Sequence, residues 1–516
     1  MQQRRINRSL LSHNYSIPSP IGGLNVRDSL DTMAPEDAIV MDNYIPLDTK
    51  VALRKGYQKY VELDGNVYTL ANYKYPNDSH FLAFSNGNVF DISSKKAVTK
   101  YEKNFSSSYW QYCQFKNRLI FVNGYDAPHT YYIENTEPKF EEVALEGENL
   151  IPQKLINVCV SKQRLFFVEK GSLNAWYTSG VGEVQGKLYK FDLSTIVRQG
   201  GELIAVASWT QDGGLGIDDL TVFITSEGEV AVYAGSNPND ASDWNLKGVY
   251  SMSKPIGYRC VIPYQGDIVI ISEDGYIPLS KALPLEKSNS SLISFSDKIR
   301  GLVLDRTRNN KNKIGWQGII YGRGGYAIFN VPINQTFEQH VINTSTGAWC
   351  RFTNIHALCW SEFGNRIYFG SKDGVYLFDE GYSDNKLHIC GHVEQAYNNL
   401  GSNSLKRIQL LNPRTKSSTK YALVIYTNMD FADEKKDYTE NISHNSISKW
   451  NNVKWSSLSN PIGTRWATLK GTIRSQWIAN SATGFKASIV FKTKTRGNLI
   501  EWFDTGVRYE NGNGLL

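Results

Sequence analysis

The chain is 516 residues long, 41% of them hydrophobic and 21% charged, which excludes a wholly disordered protein. Its 56 basic and 50 acidic residues leave a formal charge of +6, a balance too even to indicate a nucleic-acid-binding protein. The 30 Tyr, 22 Phe, 12 Trp and 42 Gly are typical of a protein built from β-sheets.

Neither the N-terminus nor the cysteine pattern indicates export. The first residues are basic and lack an apolar core, and no apolar run approaches the roughly 18–20 residues of a membrane-spanning helix. The six Cys include no Cys-x-x-Cys pair and are too few for a disulfide framework in a chain of this length. We therefore expect a protein synthesised in a reducing cytoplasm.

The first 46 residues differ in composition from the rest of the chain. Residues 1–17 are polar and basic, and residues 18–46 are rich in Pro, Gly and Asp. A short helix is expected to begin at 34–37, with Pro35 at its first position. The remainder predicts an extended arm, 1–46, that docks on a neighbouring subunit or another partner, because so long a non-repeating segment rarely orders by itself.

From residue 47 to residue 390 the sequence consists of short alternating strands separated by turn residues. One unit recurs at intervals of 37 to 55 residues. Its clearest copies are 117–121, 163–167 and 365–369. Pairs such as Asp373-Gly374 predict hairpins, because Gly adopts positive φ without strain. A repeat of this size with several strands predicts a β-propeller of six or seven blades; a string of β-sandwiches, the alternative, would not repeat one pattern at a single period.

The C-terminal segment, 391–516, loses this period and is dense in Trp. Five of the 12 Trp lie between residues 450 and 502. This pattern predicts a separate β-rich, sandwich-like domain. The complete prediction is an all-β chain with an extended N-terminal arm, a β-propeller over 47–390 and a C-terminal β-rich domain.

Few residues in the sequence are arranged for chemistry. His388, Cys390 and His392 would share one face of a strand, but no fourth ligand lies near them, so a half-exposed strand is favoured and no metal is predicted. No nucleophile elbow, phosphate-binding loop or zinc-protease motif appears. We therefore expect no catalytic residues and no cofactor, and a structural or binding protein rather than an enzyme.

Separated segments along the chain carry a resemblance to a known family. Residues 18–46 read PSPIGGLNVRDSLDTMAPEDAIVMDNYIP, residues 342–350 read INTSTGAWC, and residues 502–516 read WFDTGVRYENGNGLL. Between 209 and 283 lie a DGG loop, an EVAVY strand, a Pro-x-Asp-x-x-x-Trp loop and an Ile-Gly-x-Arg turn. In this order the segments resemble the tail hub, or nozzle, structural proteins of short-tailed bacteriophages, over nearly the whole chain.

The resemblance singles out positions in three regions. The arm positions, expected to dock, are Pro20, Gly22, Gly23, Arg27, Asp28, Asp42 and Asn43. The propeller positions are Asp212, Gly213, Tyr233, Trp244, Gly257, Arg259, Gly347 and Trp349. At the C-terminus, the richness in Trp and the two final Leu suggest interface candidates, which are Trp502, Tyr509, Leu515 and Leu516.

The resemblance implies a virion protein made in the host cytoplasm. Members form a ring of six below the portal and adaptor proteins, extend the DNA channel, retain the packaged genome, and anchor fibres, a needle or a plug. Genomic DNA would pass through without sequence-specific binding, and the host surface would be contacted only indirectly. A propeller suits such a ring because it is a rigid body with few free edges.

The sequence is also compatible with two functions other than that of a tail protein. A sialidase-like or other glycan hydrolase would need a cluster of Arg and carboxylates at the centre of the propeller. A glycan-binding propeller would be a monomer with affinity for sugars.

Overall fold

The computed structural model describes residues 12–75, 78–95, 97–101, 103–212, 217–264, 266–282, 295–418, 421–432 and 472–511. Strands dominate these residues, which confirms the all-β prediction. The chain divides into two compact units. Unit 1 comprises Met1–Gln58, Val341–Thr353 and Asp379–Leu516, and unit 2 comprises Lys59–His340 and Asn354–Phe378. The arm and the C-terminal segment thus belong to one unit rather than forming two separate parts.

The arm is made of short strands. They are β1, Ser12–Pro18; β2, Gly23–Leu24; β3, Asp37–Asp42; β4, Tyr44–Pro46; and β5, Val51–Leu53. The helix expected at 34–37 does not form: these residues make a turn, in which the Asp37 amide donates to the Ala34 carbonyl, and β3 then begins at Asp37. Pairing of β3 with its neighbours satisfies the backbone groups that a helix would have satisfied internally.

The first half of the propeller contains three blades. Strand β6, Tyr57–Glu62, precedes blade 1. Blade 1 has β7, Val67–Tyr75; β8, Asp78–Ser85; β9, Asn88–Ser94; and β10, Ala97–Tyr101. Blade 2 has β11, Gln111–Phe115; β12, Arg118–Val122; β13, His129–Glu134; and β14, Glu137–Glu142. Blade 3 has β15, Leu145–Glu146; β16, Leu155–Ser161; β17, Arg164–Glu169; β18, Asn174–Thr178; and β19, Gly186–Asp192, with a 3₁₀ turn at Pro152–Lys154.

The second half contains three more blades and an additional group of strands. Blade 4 has β20, Leu203–Asp212; β21, Ile217–Thr225; β22, Glu229–Ala234; and β23, Asn245–Ser251. Blade 5 has β24, Val261–Tyr264; β25, Asp267–Ser272; and β26, Gly275–Pro278, followed by α1, Leu279–Ala282, a 3₁₀ turn, Asp297–Ile299, and α2, Arg300–Asn310. The additional group is β27, Gln317–Tyr321; β28, Tyr326–Ile333; and β29, Thr336–Asn343. After β30 of unit 1, Trp349–Phe352, blade 6 has β31, Cys359–Phe363; β32, Arg366–Ser371; and β33, Gly374–Phe378.

Unit 2 is therefore a β-propeller with six separate blades, as the repeats predicted. Strand β27 lies between blades 5 and 6: Gly318 lies against the Ile262 side chain of β24, and the Gln317 Nε2 donates to the Trp360 carbonyl of β31. Strand β6 pairs with β33 and closes the ring. The Asp373-Gly374 hairpin is confirmed, and Gly374 has φ +136° where a Cβ would lie 2.2 Å from the Val61 carbonyl oxygen of β6.

Large aromatic side chains fill the space between neighbouring blades. Between blades 1 and 2, the Phe84 and Phe121 rings have their centroids 5.0 Å apart, beside the fully buried Trp110. Packed sheets lie about 10 Å apart, a distance that aromatic side chains span well. The richness in Tyr, Phe and Trp thus follows from the number of sheet faces to be packed.

Unit 1 consists of two β-sheets that pack face to face. The remaining strands are β34, Ile389–Gln395; β35, Lys406–Ser417; β36, Ala422–Met429; β37, Thr472–Ser475; β38, Ile478–Gly484; β39, Ala487–Thr495; and β40, Ile500–Asn511. One sheet runs β30-β2-β3-β34-β39-β36, and the other runs β37-β35-β40-β5-β4, with β1 on β40 and β38 on β35. Phe491 of β39 stacks on Trp502 of β40 at 4.3 Å between centroids, which confirms the sandwich-like prediction.

The arm docks within its own chain in this structure. Strand β1 pairs with β40 over seven residues, Gly23 pairs with Trp349, and β3 pairs with β34. Residues 12–46 therefore pair with strands of their own unit 1, and docking of the arm on a neighbouring subunit or on the adaptor stays a prediction. The longest described helix, α2, has 11 residues, and no helix in the described ranges is long and apolar enough to span a bilayer.

Candidate functional site

The centre of the propeller contains a cavity. A cavity of about 520 Å³ lies against β7, β11, β16, β20, β24 and β27, the strands on which neighbouring blades meet. Its lining is mostly apolar, with Gln111, Asn157, Ser208, Arg259 and Gln317 as polar members. Among the described residues that line it there is no Asp or Glu.

Arg259, a position singled out by the resemblance, is the charged residue of this cavity. Its Nη1 donates to the Tyr68 carbonyl at 3.1 Å and to Gln317 Oε1 at 3.3 Å, and its Nε donates to Gln111 Oε1 at 3.2 Å. Its Nη2 donates to Thr69 Oγ1 at 2.8 Å and to the Trp110 carbonyl at 2.7 Å. All five guanidinium N–H groups are therefore used. Arg259 joins blades 1 and 2 to the β27–β29 group and has no donor left for a ligand.

Replacing Arg259 by Lys should lower the free energy of unfolding by about 2 kcal/mol or more. Lys keeps the charge but has three donors rather than five and lacks the planar fork, so at least two buried acceptors lose their partner. Urea unfolding measures the change, with Arg308→Lys on the exposed face of α2 as the control. Equal stability of the two variants would contradict the bridging role.

The thiols beside the cavity are not poised as nucleophiles. Burial raises the pKa of Cys159 to about 11 and that of Cys260 to about 12, and burial together with the neighbouring Cys159 raises the pKa of Cys113. A nucleophilic cysteine needs a lowered pKa, because the thiolate is the reactive form. All six cysteines are free thiols, and Cys113, Cys159 and Cys260 act as small core residues.

One group of side chains in blade 1 has the composition of a catalytic triad but not its arrangement. Asp91 Oδ2 lies 2.6 Å from His80 Nδ1, and Asp91 Oδ1 accepts hydrogen bonds from the Ser93 amide and hydroxyl at 2.9 and 2.5 Å. A triad requires the histidine to bridge the hydroxyl and the carboxylate. Here the carboxylate occupies the middle position and the Ser93 hydroxyl donates to Asp91 rather than to His80, so the arrangement is not that of a triad, and the group stabilises the blade.

The stability that Asp91 contributes should depend on pH. Burial acts to raise the pKa of Asp91, but the hydrogen bonds from His80 and Ser93 outweigh it, and the net pKa is lowered. A lowered carboxyl pKa contributes stability above the unfolded value, about 3.9, and the contribution disappears as pH falls through the folded value. The stability difference between wild type and Asp91→Asn should therefore shrink between about pH 5 and pH 3. Urea unfolding at several pH values tests this, with Asp64→Asn at an exposed position as the control. A difference between wild type and Asp91→Asn that stays constant with pH would contradict the prediction.

Three other propeller positions of the resemblance belong to the core and turns of the blades. Gly347 and Trp349, which were also expected in the propeller, lie in unit 1 instead. Tyr233 and Trp244 are buried, and their rings stack at 5.1 Å between centroids with an interplanar angle of 11°. Gly257 has φ +68°, a conformation that favours glycine in the turn before Arg259. Asp212 ends β20, while its side chain and Gly213 lie outside the described residues. Tyr233, Trp244 and Gly257 therefore shape the blades rather than form a binding site.

The arm positions Asp42 and Asn43 lie in a dense polar network of unit 1. Arg351 forms a two-pronged ion pair with Asp42, at 2.7 and 2.9 Å. Asn43 has φ +61° and donates through Nδ2 to Thr353 Oγ1 and to the Cys390 carbonyl, each at 2.8 Å. Its Oδ1 accepts from the Thr353 amide at 2.9 Å and from Arg54 Nε at 2.7 Å.

Arg54 extends this network into the core, and the sequence analysis did not identify it. It is 1% exposed, and its Nη1 and Nη2 donate to the two carboxylate oxygens of Asp384 at 2.8 and 2.6 Å. The remaining N–H groups donate to Asn43 and to the carbonyls of Lys55 and Thr353. No local pattern could have revealed this pair, because its members are 330 residues apart.

Two glycine positions of the arm are closely packed, Gly23 against Trp349 and Gly22 against Asp37. A Cβ on Gly23 would lie 2.5 Å from the Trp349 carbonyl oxygen, and a Cβ on Gly22 would lie 2.2 Å from Asp37 Oδ1. Gly347 has φ +71° and donates its amide to the Asn343 carbonyl, which closes the loop between β29 and β30. Family-like residues more than 300 positions apart are thus brought into contact by unit 1.

The remaining arm positions form a turn around Asn25, which the sequence analysis also missed. The Pro20 carbonyl accepts from the Gly23 amide at 3.2 Å. Asn25 Nδ2 donates to Asp28 Oδ2 and to Asp37 Oδ2, and Arg27 pairs with Asp28 at 2.7 Å on the surface. This turn gives the arm a defined path into β3.

The C-terminal interface candidates are corrected for the residues that the structure describes. Trp502 is completely buried, and its Nε1 donates to the Asp504 carbonyl and to Thr505 Oγ1 at 3.1 Å. Tyr509 is 6% exposed and donates through its hydroxyl to the Leu400 carbonyl at 3.0 Å. Both are core residues and present almost no surface to a second subunit. Leu515 and Leu516 lie outside the described residues.

Of the candidate metal-binding residues, Cys390 and His392 lie on β34, which begins at Ile389, and His388 lies just before it; burial alternates along this segment, as predicted for a half-exposed strand. Ile389, Gly391 and Val393 are buried, while His388, Cys390 and His392 between them are half-buried. Within the described ranges, no group of three or more His, Cys, Asp or Glu is arranged to hold a metal ion. The strand's described contacts are those of a sheet, with β3 and β39 on its two sides.

Comparisons with known proteins add little to this picture. No family model matches the sequence, and no curated protein matches it. Among solved structures, the chain is similar to one described as a streptogramin B lyase, with 9% identity, a TM-score of 0.40, and coverage of 62% of this chain and 96% of that one. It is also similar to BBS1N in a crystal structure with ARL6DN, with 10% identity, a TM-score of 0.38, and coverage of 63% and 97%. Likenesses this remote carry no argument about function.

Proposed function

We propose that this chain is a structural component of a bacteriophage tail, a hub or nozzle subunit that forms a ring of six below the portal and adaptor. The ring would extend the DNA channel, retain the packaged genome and anchor fibres, a needle or a plug. The protein would be made in the host cytoplasm and would act in the virion. This proposal begins from the resemblance of separated segments that follow one another in the family's order.

One structural observation supports the proposal most directly. The resembling segments 18–46, 342–350 and 502–516 meet in unit 1: Gly23 pairs with Trp349, and the Ser19 amide donates to the Phe503 carbonyl at 2.9 Å. Segments that interact physically are expected to be retained together. Their contact therefore favours a family of shared architecture over a chance likeness of turns and aromatic residues.

The centre of the propeller favours a structural role over glycan hydrolysis. Glycosidases work with a pair of carboxylates, and a sialidase-like site would also need an arginine free to bind its substrate. The described lining of the central cavity contains neither Asp nor Glu. All five N–H groups of Arg259 donate hydrogen bonds to neighbouring residues of the propeller.

The experiment that tests the proposal is particle imaging of the purified chain, alone and with the adaptor protein of the virus that encodes it. Six-fold rings, formed alone or on the adaptor, are the expected result. A chain that stays monomeric in both conditions would contradict the proposal.

Binding to DNA should be weak if the ring only conducts the genome. Each Lys or Arg contact to a phosphate adds affinity that depends on salt, and firm contacts would slow the passage of DNA. With 56 basic and 50 acidic residues, we expect non-specific binding of the free chain that disappears near physiological salt. Fluorescence anisotropy with duplexes of two unrelated sequences measures it, and salt-resistant or sequence-dependent binding would argue against a conduit.

A further inference from the structure

A second cavity, of about 630 Å³, opens on blade 3, away from the strands that line the central cavity. It is bordered by the residues that follow β15, the ends of β17 and β18, strand β19 and the loop between β22 and β23. The volume is within the usual range of small-molecule sites, about 300–1,000 Å³. We call this cavity the blade 3 groove.

A carboxylate in the groove is held ready to accept hydrogen bonds. Glu169 Oε2 accepts from Asn174 Nδ2 at 2.9 Å, from Trp176 Nε1 at 3.2 Å and, more weakly, from Ser172 Oγ at 3.4 Å. These three donors fix the orientation of the carboxylate. Its Oε1 takes part in none of these bonds and can accept from a ligand without any cost of reorientation.

Two amides supply further polar groups at the groove. Asn239 Oδ1 accepts the Tyr177 hydroxyl at 2.5 Å, which orients the amide and leaves its Nδ2 to donate. Asn174 uses one amide hydrogen on Glu169, so its second amide hydrogen and its Oδ1 remain for a ligand. The groove thus presents donors and acceptors side by side.

The charges and the aromatic surface narrow the class of ligand. Glu148 and Glu169 are balanced by Lys187 and Lys190, so the lining selects neither an anion nor a cation. Tyr189 is partly exposed, and Lys187 Nζ lies 5.1 Å from the centre of its ring. A half-exposed ring beside paired donors and acceptors suits a molecule with an apolar C–H face and many hydroxyls.

We propose that the blade 3 groove binds a short, uncharged oligosaccharide. Glu169 accepts hydrogen bonds from its hydroxyls, and Asn174 both donates hydrogen bonds to them and accepts from them. The site goes beyond the role in a tail ring and does not depend on it, because every lining residue belongs to the propeller of one chain. It is a binding site and not a catalytic one.

The test is saturation-transfer NMR on the full-length chain with cellobiose, maltose and N,N′-diacetylchitobiose at millimolar concentrations. At least one disaccharide should give transfer signals. In Glu169→Gln, the amide oxygen can keep the three internal hydrogen bonds, so the fold is retained. The NH₂ group then stands in place of Oε1, which is the atom that would accept a hydrogen bond from the ligand. Its affinity should be about tenfold lower, as expected for the loss of one hydrogen bond to a charged group.

Glu134→Gln is the matched control, since Glu134 is a surface carboxylate of blade 2 outside the groove. It should bind as the wild type does. Absence of signal from all three disaccharides, or equal affinities of Glu169→Gln and wild type, would overturn the site. Neither result bears on ring formation, which particle imaging decides separately.

Discussion

Replacing Arg54 by Met should lower the free energy of unfolding of unit 1 by about 3–5 kcal/mol, the usual cost of leaving one member of a buried ion pair alone. Arg54 and Asp384 are 1% and 5% exposed in their side chains, so water cannot replace the lost partner. The change would also remove one of the two hydrogen bonds that Asn43 Oδ1 accepts, together with the Arg54 bonds to the Lys55 and Thr353 carbonyls. Urea unfolding, followed by near-UV circular dichroism, measures the loss.

The chain contains a matched control for this prediction. Arg414 pairs with Asp504 in the same two-pronged arrangement, but the Arg414 side chain is 57% exposed. Arg414→Met should therefore cost less than about 1 kcal/mol. The double variant Arg54→Met with Asp384→Leu should recover part of the loss, because the unpaired carboxylate is removed. Equal effects at the buried and the exposed pair would show that burial is not what makes Arg54 important.

Replacing Trp502 by Ala should cost about 3–5 kcal/mol, the range for removing a large aromatic side chain from a core. Its ring is completely buried and stacks on Phe491 at an interplanar angle of 7°. Trp477 of the same unit is 45% exposed, and Trp477→Ala should change stability by less than about 0.5 kcal/mol. Thermal melts of the two variants measure the difference.

The same pair of variants separates core from interface. If the proposed ring uses the exposed apolar surface around Trp477 and Ile473, which is 69% exposed, Trp477→Ala should weaken ring formation without lowering the melting temperature. Trp502→Ala should lower the melting temperature, and the fraction of the variant that is still folded should form rings as the wild type does. Lower stability for Trp477→Ala than for Trp502→Ala would contradict the burial that the structure assigns to them.

The sequence by itself determined the class of fold and much of the propeller. The recurring strand unit predicted the blades, and Asp373-Gly374 predicted a hairpin that the structure confirms. Such features are local: alternation of apolar residues, turn chemistry and strand propensity act over a few residues, and one sequence displays them directly.

Only the tertiary structure decided how the ends of the chain are used. Sequence composition predicted an arm, a propeller and a separate C-terminal domain, whereas the structure joins the arm to the C-terminal strands in unit 1. It also showed that Arg54 pairs with Asp384, that Arg259 uses its hydrogen-bond donors to connect blades, and that Trp502 is a core residue rather than an interface residue. Each depends on contacts between residues far apart in the chain. Pairing and burial at such separations are set by how whole sheets pack, and no local pattern encodes them.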